Sequence, residues 1–301
     1  MNNIITSFLY NIIKCIYNPV KKITFCFLNM FIRVPKIHNS RETIEYIIDN
    51  KCSVSRYGDG ELCLCFSQSG IGFQKYDKAL SDNLIRVLYT QNKDANHISC
   101  IPYTYRSCAH LTEAASKFWR LVTLYTKWSF IKRLPKREYY DSLSTRPYMD
   151  LADKGESQVL FDLWKKVWEE KDIIIVEGEL SRLGEGNDLF KNARSLKRII
   201  APSKNAFFIY DKILSEVKNV SSKTDLILIA LGPTATVLAY DLACVGYWAI
   251  DIGHIDVEYM WYQSSATCKH ALPGRHINEI NFEDDSYQCS KEYLSSIISK
   301  L

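Results

Sequence analysis

Two carboxylates one residue apart, Asp59 and Glu61, stand in the segment Ser55-Arg56-Tyr57-Gly58-Asp59-Gly60-Glu61. The preceding alternation Cys52-Ser53-Val54 predicts a strand, so the acidic pair falls on a glycine-flanked turn at a strand's carboxyl end. Two such carboxylates can reach one hard cation together. Mg²⁺ and Mn²⁺ prefer oxygen ligands and keep open positions for phosphate, so the pattern suits a cation holding a diphosphate. Gly58 and Gly60 permit a sharp turn and close approach of a bulky ligand. The same triplet also describes an ordinary exposed turn.

Other predicted strands end in polar groups too. The apolar run 172–176 leads into Glu177-Gly178-Glu179 and then Arg182-Leu183-Gly184-Glu185-Gly186-Asn187-Asp188. A second run, 225–231, leads into Gly232-Pro233-Thr234, where proline suits a helix's first turn and free backbone amides bind anions. A third ends in Asp251-Ile252-Gly253-His254-Ile255-Asp256-Val257-Glu258. Arg56, Arg146 and Arg182 supply planar, permanently charged groups that bind phosphate oxygens bidentately. Each arginine could instead pair with one of the carboxylates, and each loop could be a solvated or capping segment. Their convergence on one sheet edge is what favours a phosphate-binding site.

The elements that would position these groups read as alternating strands and helices. Helices are expected over 41–50, 78–91, 111–126, 157–170, 204–218 and 234–245, and strands at 52–54, 98–101, 172–176, 198–201, 225–231 and 248–251. The continuous apolar runs at 172–176 and 225–231 suit strands covered on both faces. That order predicts a Rossmann-like, mostly parallel sheet flanked by helices, with ligands at the strands' carboxyl ends.

The 301 residues, 47% hydrophobic and 24% charged, suit a globular α/β domain. A net charge of +4 without zinc-finger spacing or an aromatic RNA-binding motif argues against nucleic acid as a partner. Ten cysteines without a CxxC pair suit reduced thiols in the cytoplasm. Residues 1–41 contain no Asp or Glu but carry Lys14, Lys21, Lys22, Arg33, Lys36 and Arg41 among many apolar residues. Helical spacing from Ile4 to Ile16, broken at Pro19, gives an amphipathic segment too interrupted to span a bilayer, and no signal-peptide cleavage site follows. It suits peripheral contact with the anionic inner face of the cell membrane, or packing on the domain or on a second copy. The division expected is therefore residues 1–40 as this segment and 41–301 as the domain.

The chain resembles the bacterial glycosyltransferases of the GT-D fold. The matching segments are Ser55–Glu61, Thr145-Arg146-Pro147-Tyr148, Val176–Glu179 with Arg182–Leu189, Arg198–Pro202 with Asn205–Phe207, Leu231–Thr236 with Ala239–Leu242, and Asp251–Asp256 with Glu258 and Tyr259. They run in family order over roughly 45–263. Thr145 stands where similar sequences often have Ser, and Met260 where an acidic residue is common; neither touches the central carboxylates.

The resemblance implies metal-assisted transfer of a hexose from a nucleotide diphosphate sugar, usually a UDP-sugar, to a glycan, glycoprotein or lipid-linked acceptor. Asp59 and Glu61 match the family's Asp-x-Glu motif and would bind Mn²⁺ or Mg²⁺. Nucleotide-sugar contacts are assigned to Arg56, Asp59, Arg146, Arg182, Asn187, Asp188, Gly232, Pro233 and Thr234. An inverting reaction needs a base for the acceptor hydroxyl. Glu258, Asp256 and His254 are the candidates, with Glu179 behind them. The alternatives are a silent nucleotide-sugar-binding partner subunit, or a dinucleotide or methyl-transferring α/β enzyme. No GxGxxG follows any predicted strand.

Overall fold

The computed structural model describes residues 19–90, 95–277, 280 and 287–301. Among these residues eight strands form a single sheet in which every neighbouring pair is parallel. In chain order they are β1 (Ser53–Arg56), β2 (His97–Ile101), β3 (Tyr140–Asp141), β4 (Asp172–Gly178), β5 (Ser195–Ala201), β6 (Leu226–Ala230), β7 (Trp248–Asp251) and β8 (Ile297–Lys300). Across the sheet the order is β3-β2-β1-β7-β6-β4-β5-β8, so it reverses direction at β1/β7 and again at β4/β6.

Strand alternation divides the core between two faces. Ile173 and Ile175 of β4 with Leu226 and Leu228 of β6 join one cluster, covered by α2 (Ser40–Asn50), α5 (Glu113–Thr126), α6 (Lys154–Trp168) and α9 (Ile255–Gln263). Ile174 and Val176 with Ile227 and Ile229 face the other way, onto α7 (Tyr210–Val220) and α8 (Pro233–Cys244). A third cluster packs α3 (Asp59–Phe66) and α4 (Lys78–Tyr89) beside them. The parallel, helix-covered sheet expected from the sequence is the one formed.

Several elements lie outside the expected set. The segment holding Asp59 and Glu61 is the first turn of α3, not a free turn. Its residues run Leu62-Cys63-Leu64-Cys65-Phe66 without helical period, and four of them are buried. Residues 254–263, where no helix was expected by spacing, contain α9, whose Asp256 and Glu258 point inward and so invert the usual polarity. The tail beyond 265, outside the resemblance, supplies α10 (Lys291–Ser296) and edge strand β8, which pairs with β5 from Arg198.

Pro19, expected to break a helix, begins α1 (Pro19–Met30), consistent with proline's tolerance in a first turn. The amphipathic spacing at residues 4–16 lies outside the described residues. After α1 the chain enters the domain: His38 N–H donates to the Tyr139 carbonyl at 2.9 Å, and Ile37 is buried. Among the described residues no helix is long and apolar enough to cross a membrane.

Candidate active site

A cleft of about 240 Å³ opens at the carboxyl edge of the sheet. Arg56, Asp59 and Glu61 reach it from the β1 end, Asp251, Gly253 and His254 from β7, Ala230 and Gly232 from β6, and Arg146 from the loop after β3. It therefore sits at the first reversal of strand order, where open α/β sheets bind ligands.

β1 ends at Arg56, and extended Gly58 caps α3. Glu61 Oε2 accepts the Gly58 N–H at 2.8 Å, closing the helix's own amino terminus. On a helix, residues two apart do not face each other, so Asp59 and Glu61 present themselves differently. Asp59 occupies the first helical position at the cleft, while Glu61 folds back beneath it. Burial, with Asp251 adding repulsion, pushes the Glu61 carboxyl up to about 7. Both groups line the cleft and offer hard oxygen donors, so a divalent cation fits the donor set. Among the described residues no three acidic, histidine or cysteine side chains converge on one point. Phosphate and water would complete the coordination.

Arg56 acts as a brace. Its Nε donates to the Asp251 carbonyl and Nη2 to Asp251 Oδ1, both at 2.8 Å. Nη1 donates to Thr145 Oγ1 at 2.6 Å and to the Ser142 carbonyl at 3.2 Å. One guanidinium thus ties the ends of β1 and β7 to the loop that carries Arg146, while Arg56, expected to contact the nucleotide-sugar, still lines the cleft. Gly253, at φ 52°, leaves room for this fork: a Cβ there would lie 2.1 Å from Nη2. Thr236 Oγ1 of α8 donates to the Arg56 carbonyl at 2.9 Å. Burial raises the Asp251 pKa even beside Arg56.

Gly232 stands in the cleft with φ 53°, and a Cβ on it would meet the Phe73 ring at 2.2 Å. Pro233 follows at the first position of α8. Neither Pro233 nor Thr234 lines the cleft, and the Thr234 hydroxyl is buried without a hydrogen-bond partner. Contact with a ligand at this turn falls to Gly232.

The loop after β4 and helix α9 separate the four proposed bases. His254 lines the cleft at the amino-terminal end of α9. Asp256 also reaches it, but Oδ1 accepts from Gly184 N–H at 2.8 Å and Asn187 Nδ2 at 2.6 Å, and Oδ2 accepts from Arg275 Nε at 2.8 Å. Glu258 is buried, and its Oε2 accepts from the Tyr148 and Met149 amides at 3.0 and 2.7 Å. Burial raises the Glu258 pKa. Glu179 is exposed and lies outside the cleft lining. Glu258 therefore holds the loop after Arg146 and Pro147. Because both hydrogen bonds land on one oxygen, Glu258→Gln should keep the loop and most of the transfer rate. A collapse of turnover in Gln with unchanged unfolding would restore Glu258 as a base.

Three more residues expected to contact the nucleotide-sugar make contacts within the chain. Arg182 donates from Nη1 to the Gly274 carbonyl at 2.7 Å and stacks 5.2 Å from the Tyr287 ring centre. Asn187 braces Asp256 and the Leu189 amide. Asp188 is exposed, accepts from Tyr259 and Gln263, and lies 3.5 Å from the Lys165 ammonium. None of the three lines the cleft. Conversely, Phe73, Trp119, Ser142 and His276 line it without having been singled out. Phe73 and Trp119 sit in segments with no chemical signature. Ser142 lies three residues from the Thr145-Arg146-Pro147 match, the only available hint.

Fold and cleft together define an α/β protein with a site at the sheet edge, and known proteins identify the family. The family model for the glycosyltransferase GT-D fold matches residues 54–280. "Probable glycosyl transferase Gly" of Streptococcus gordonii is 38% identical over 261 residues, 86% of this chain and 38% of that protein. "Glycosyltransferase GlyD" of Streptococcus pneumoniae serotype 4 is 35% identical over 283 residues, 93% of this chain and 34% of that protein. A solved structure described as the highly conserved domain of unknown function 1792, with a distinct glycosyltransferase fold, superposes with a TM-score of 0.84 at 38% identity. That match covers 92% of this chain and 98% of the solved one. A second, described as a new glycosyltransferase from Streptococcus sanguinis, gives 0.81 at 38% identity over 89% and 99%. The chain belongs to the GT-D fold glycosyltransferase family. It spans little more than a third of the length of these two curated relatives, 38% and 34%.

Proposed function

We propose that this chain transfers a hexose from a UDP-sugar to a hydroxyl of a glycan, glycoprotein or lipid-linked acceptor, assisted by Mn²⁺ or Mg²⁺. The observation that carries the proposal is the convergence of Asp59, Glu61, Arg146, Gly232 and His254 on one cleft. Carboxylates from one strand end and an arginine from another suit a diphosphate with its counter-cation.

Asp59 and Glu61 would hold the cation, which when bound supplies positive charge against the diphosphate. Arg146, fixed by the Arg56 and Glu258 contacts on its loop, faces the leaving phosphate. Negative charge grows there as the bond from the sugar's anomeric carbon breaks, so a cation at that point favours the transition state over the ground state. Asp256 and Glu258 accept buried hydrogen bonds, and His254, on the cleft wall at the start of α9, would take the acceptor's proton. None of the nine cysteines among the described residues forms a disulfide, which suits a reducing cytoplasmic setting.

The test is a panel of UDP-sugars with Mn²⁺ or Mg²⁺, reading released UDP. One UDP-hexose should be turned over, and a chelator should return the rate to background. UDP binding without turnover of any donor would point instead to a silent partner subunit. Neither binding nor turnover would end the proposal.

A further inference from the structure

We propose that α1, together with the basic loop following α5, docks on an anionic lipid surface. Four large apolar side chains stand in solvent there: Ile23 is 69% exposed, Phe27 61%, Met30 79% and Phe31 70%. Their spacing places them along one face of α1 and the residue after it. The helix is fastened from the other side. Asn29 Nδ2 donates to the Leu124 carbonyl of α5 at 2.8 Å, and Ile32 and Val34 pack into the core. An apolar face held outward on a fixed helix needs a partner.

Charge selects which partner. Residues 19–41 and 114–137 together carry twelve Lys and Arg and no Asp or Glu, in a chain with 34 carboxylates and a net charge of only +4. The rest of the molecule is therefore net acidic, and the basic surplus is gathered where α1 meets α5. Part of it is spent internally: Arg41 pairs with Glu156, Lys36 with Glu138, and Lys117 with Glu113. Arg137 donates to the Leu88 and Thr90 carbonyls. Arg33, Lys132, Arg133 and Lys136 remain exposed, and the Lys132 ammonium lies 3.8 Å from the Trp128 ring centre.

Exposed aromatic and aliphatic groups on a helix packed against α5, with exposed cations at Arg33 and in the loop after α5, match the boundary between acyl chains and anionic headgroups. A polyanion such as nucleic acid would engage the charges but give Phe27, Phe31, Ile23 and Met30 nothing apolar to contact. A second copy docked on the same face would bring like charges together. Trp119 of α5 lines the cleft, so docking would hold one cleft wall close to the lipid.

The full chain is tested by cosedimentation with vesicles of phosphatidylcholine alone and of phosphatidylcholine mixed with phosphatidylglycerol. Binding should require phosphatidylglycerol and weaken as salt rises. Phe27→Glu with Phe31→Glu, and separately Lys132→Glu with Arg133→Glu, should each weaken binding about tenfold or more, with circular dichroism unchanged. Failure of the wild-type chain to bind phosphatidylglycerol vesicles overturns the proposal. So does loss confined to the charge variant, which would mark nonspecific attraction. A dimer split by the Phe27→Glu, Phe31→Glu pair, without vesicle binding, would assign the face to a second copy.

Discussion

Asp59→Ala should lower Mn²⁺-dependent UDP release by about 100-fold or more, because even outer-shell groups of metal sites are worth about 10–100-fold. Its backbone position, the first residue of α3, predicts only a small stability change. Loss of a carboxylate at a helix amino terminus costs about 0.3–1 kcal/mol. Activity and stability should thus separate cleanly. Glu61 should behave differently, since it both lines the cleft and caps Gly58 at 2.8 Å. Glu61→Gln keeps an acceptor for that amide and isolates the loss of charge, whereas Glu61→Ala also uncaps the helix, costing about 1 kcal/mol. The ordering expected for unfolding places wild type, Asp59→Ala and Glu61→Gln close together, since burial already disfavours the Glu61 charge, with Glu61→Ala below them. Measured kcat and chemical denaturation on the same four proteins check it. Wild-type turnover in Asp59→Ala would remove this carboxylate from the mechanism.

The fold was legible where a single strong pattern decided it. Runs such as Asp172–Gly178 and Leu226–Ala230 bury both faces, and no helix of that length fits between their flanking turns. Illegible elements were those whose reason lies elsewhere in the chain. β3 is two residues long and exists because Cys100 and Ile101 pair with it. α9 hides its helical period because its acidic residues face inward to meet the Tyr148, Met149 and Gly184 amides and Arg275. The site divides the same way. Of the polar groups read after predicted strands, Asp59, Glu61, Gly232 and His254 line the cleft, as does Arg146, which was read from its place before Pro147. Their division of labour was not readable, because partners are distant in sequence. Arg56 and Asp251 are 195 residues apart, and nothing local shows that this arginine is consumed by a brace. Arginines and carboxylates look alike whether they bind a ligand or hold a loop.

Arg275, beyond the stretch that carried the family resemblance, should prove one of the costliest residues to replace. Its Nε meets Asp256 Oδ2 at 2.8 Å with the two side chains 1% and 2% exposed, and Nη2 donates to the Glu185 carbonyl. Burial opposes its charge, and the adjacent Asp256 outweighs that and raises its pKa. Removing one partner of such a pair leaves the other charge buried and uncompensated, which costs about 3–5 kcal/mol. Arg275→Met should therefore unfold at much lower urea. Asp256→Asn should be similarly damaging, although the amide still offers an oxygen to Gly184 and Asn187. The double variant should lose clearly less than the sum of the two, since neither charge is then stranded. Consequences for turnover follow from position. Asp256 pins Gly184 and Asn187, and Ser181 and Leu183 of the same loop line the cleft. Folded Arg275→Met, held below its melting temperature, should bind donor more weakly because that wall shifts. Additive losses in the double-variant cycle would mean that Arg275 and Asp256 act independently, and that the loop is held by its backbone contacts alone.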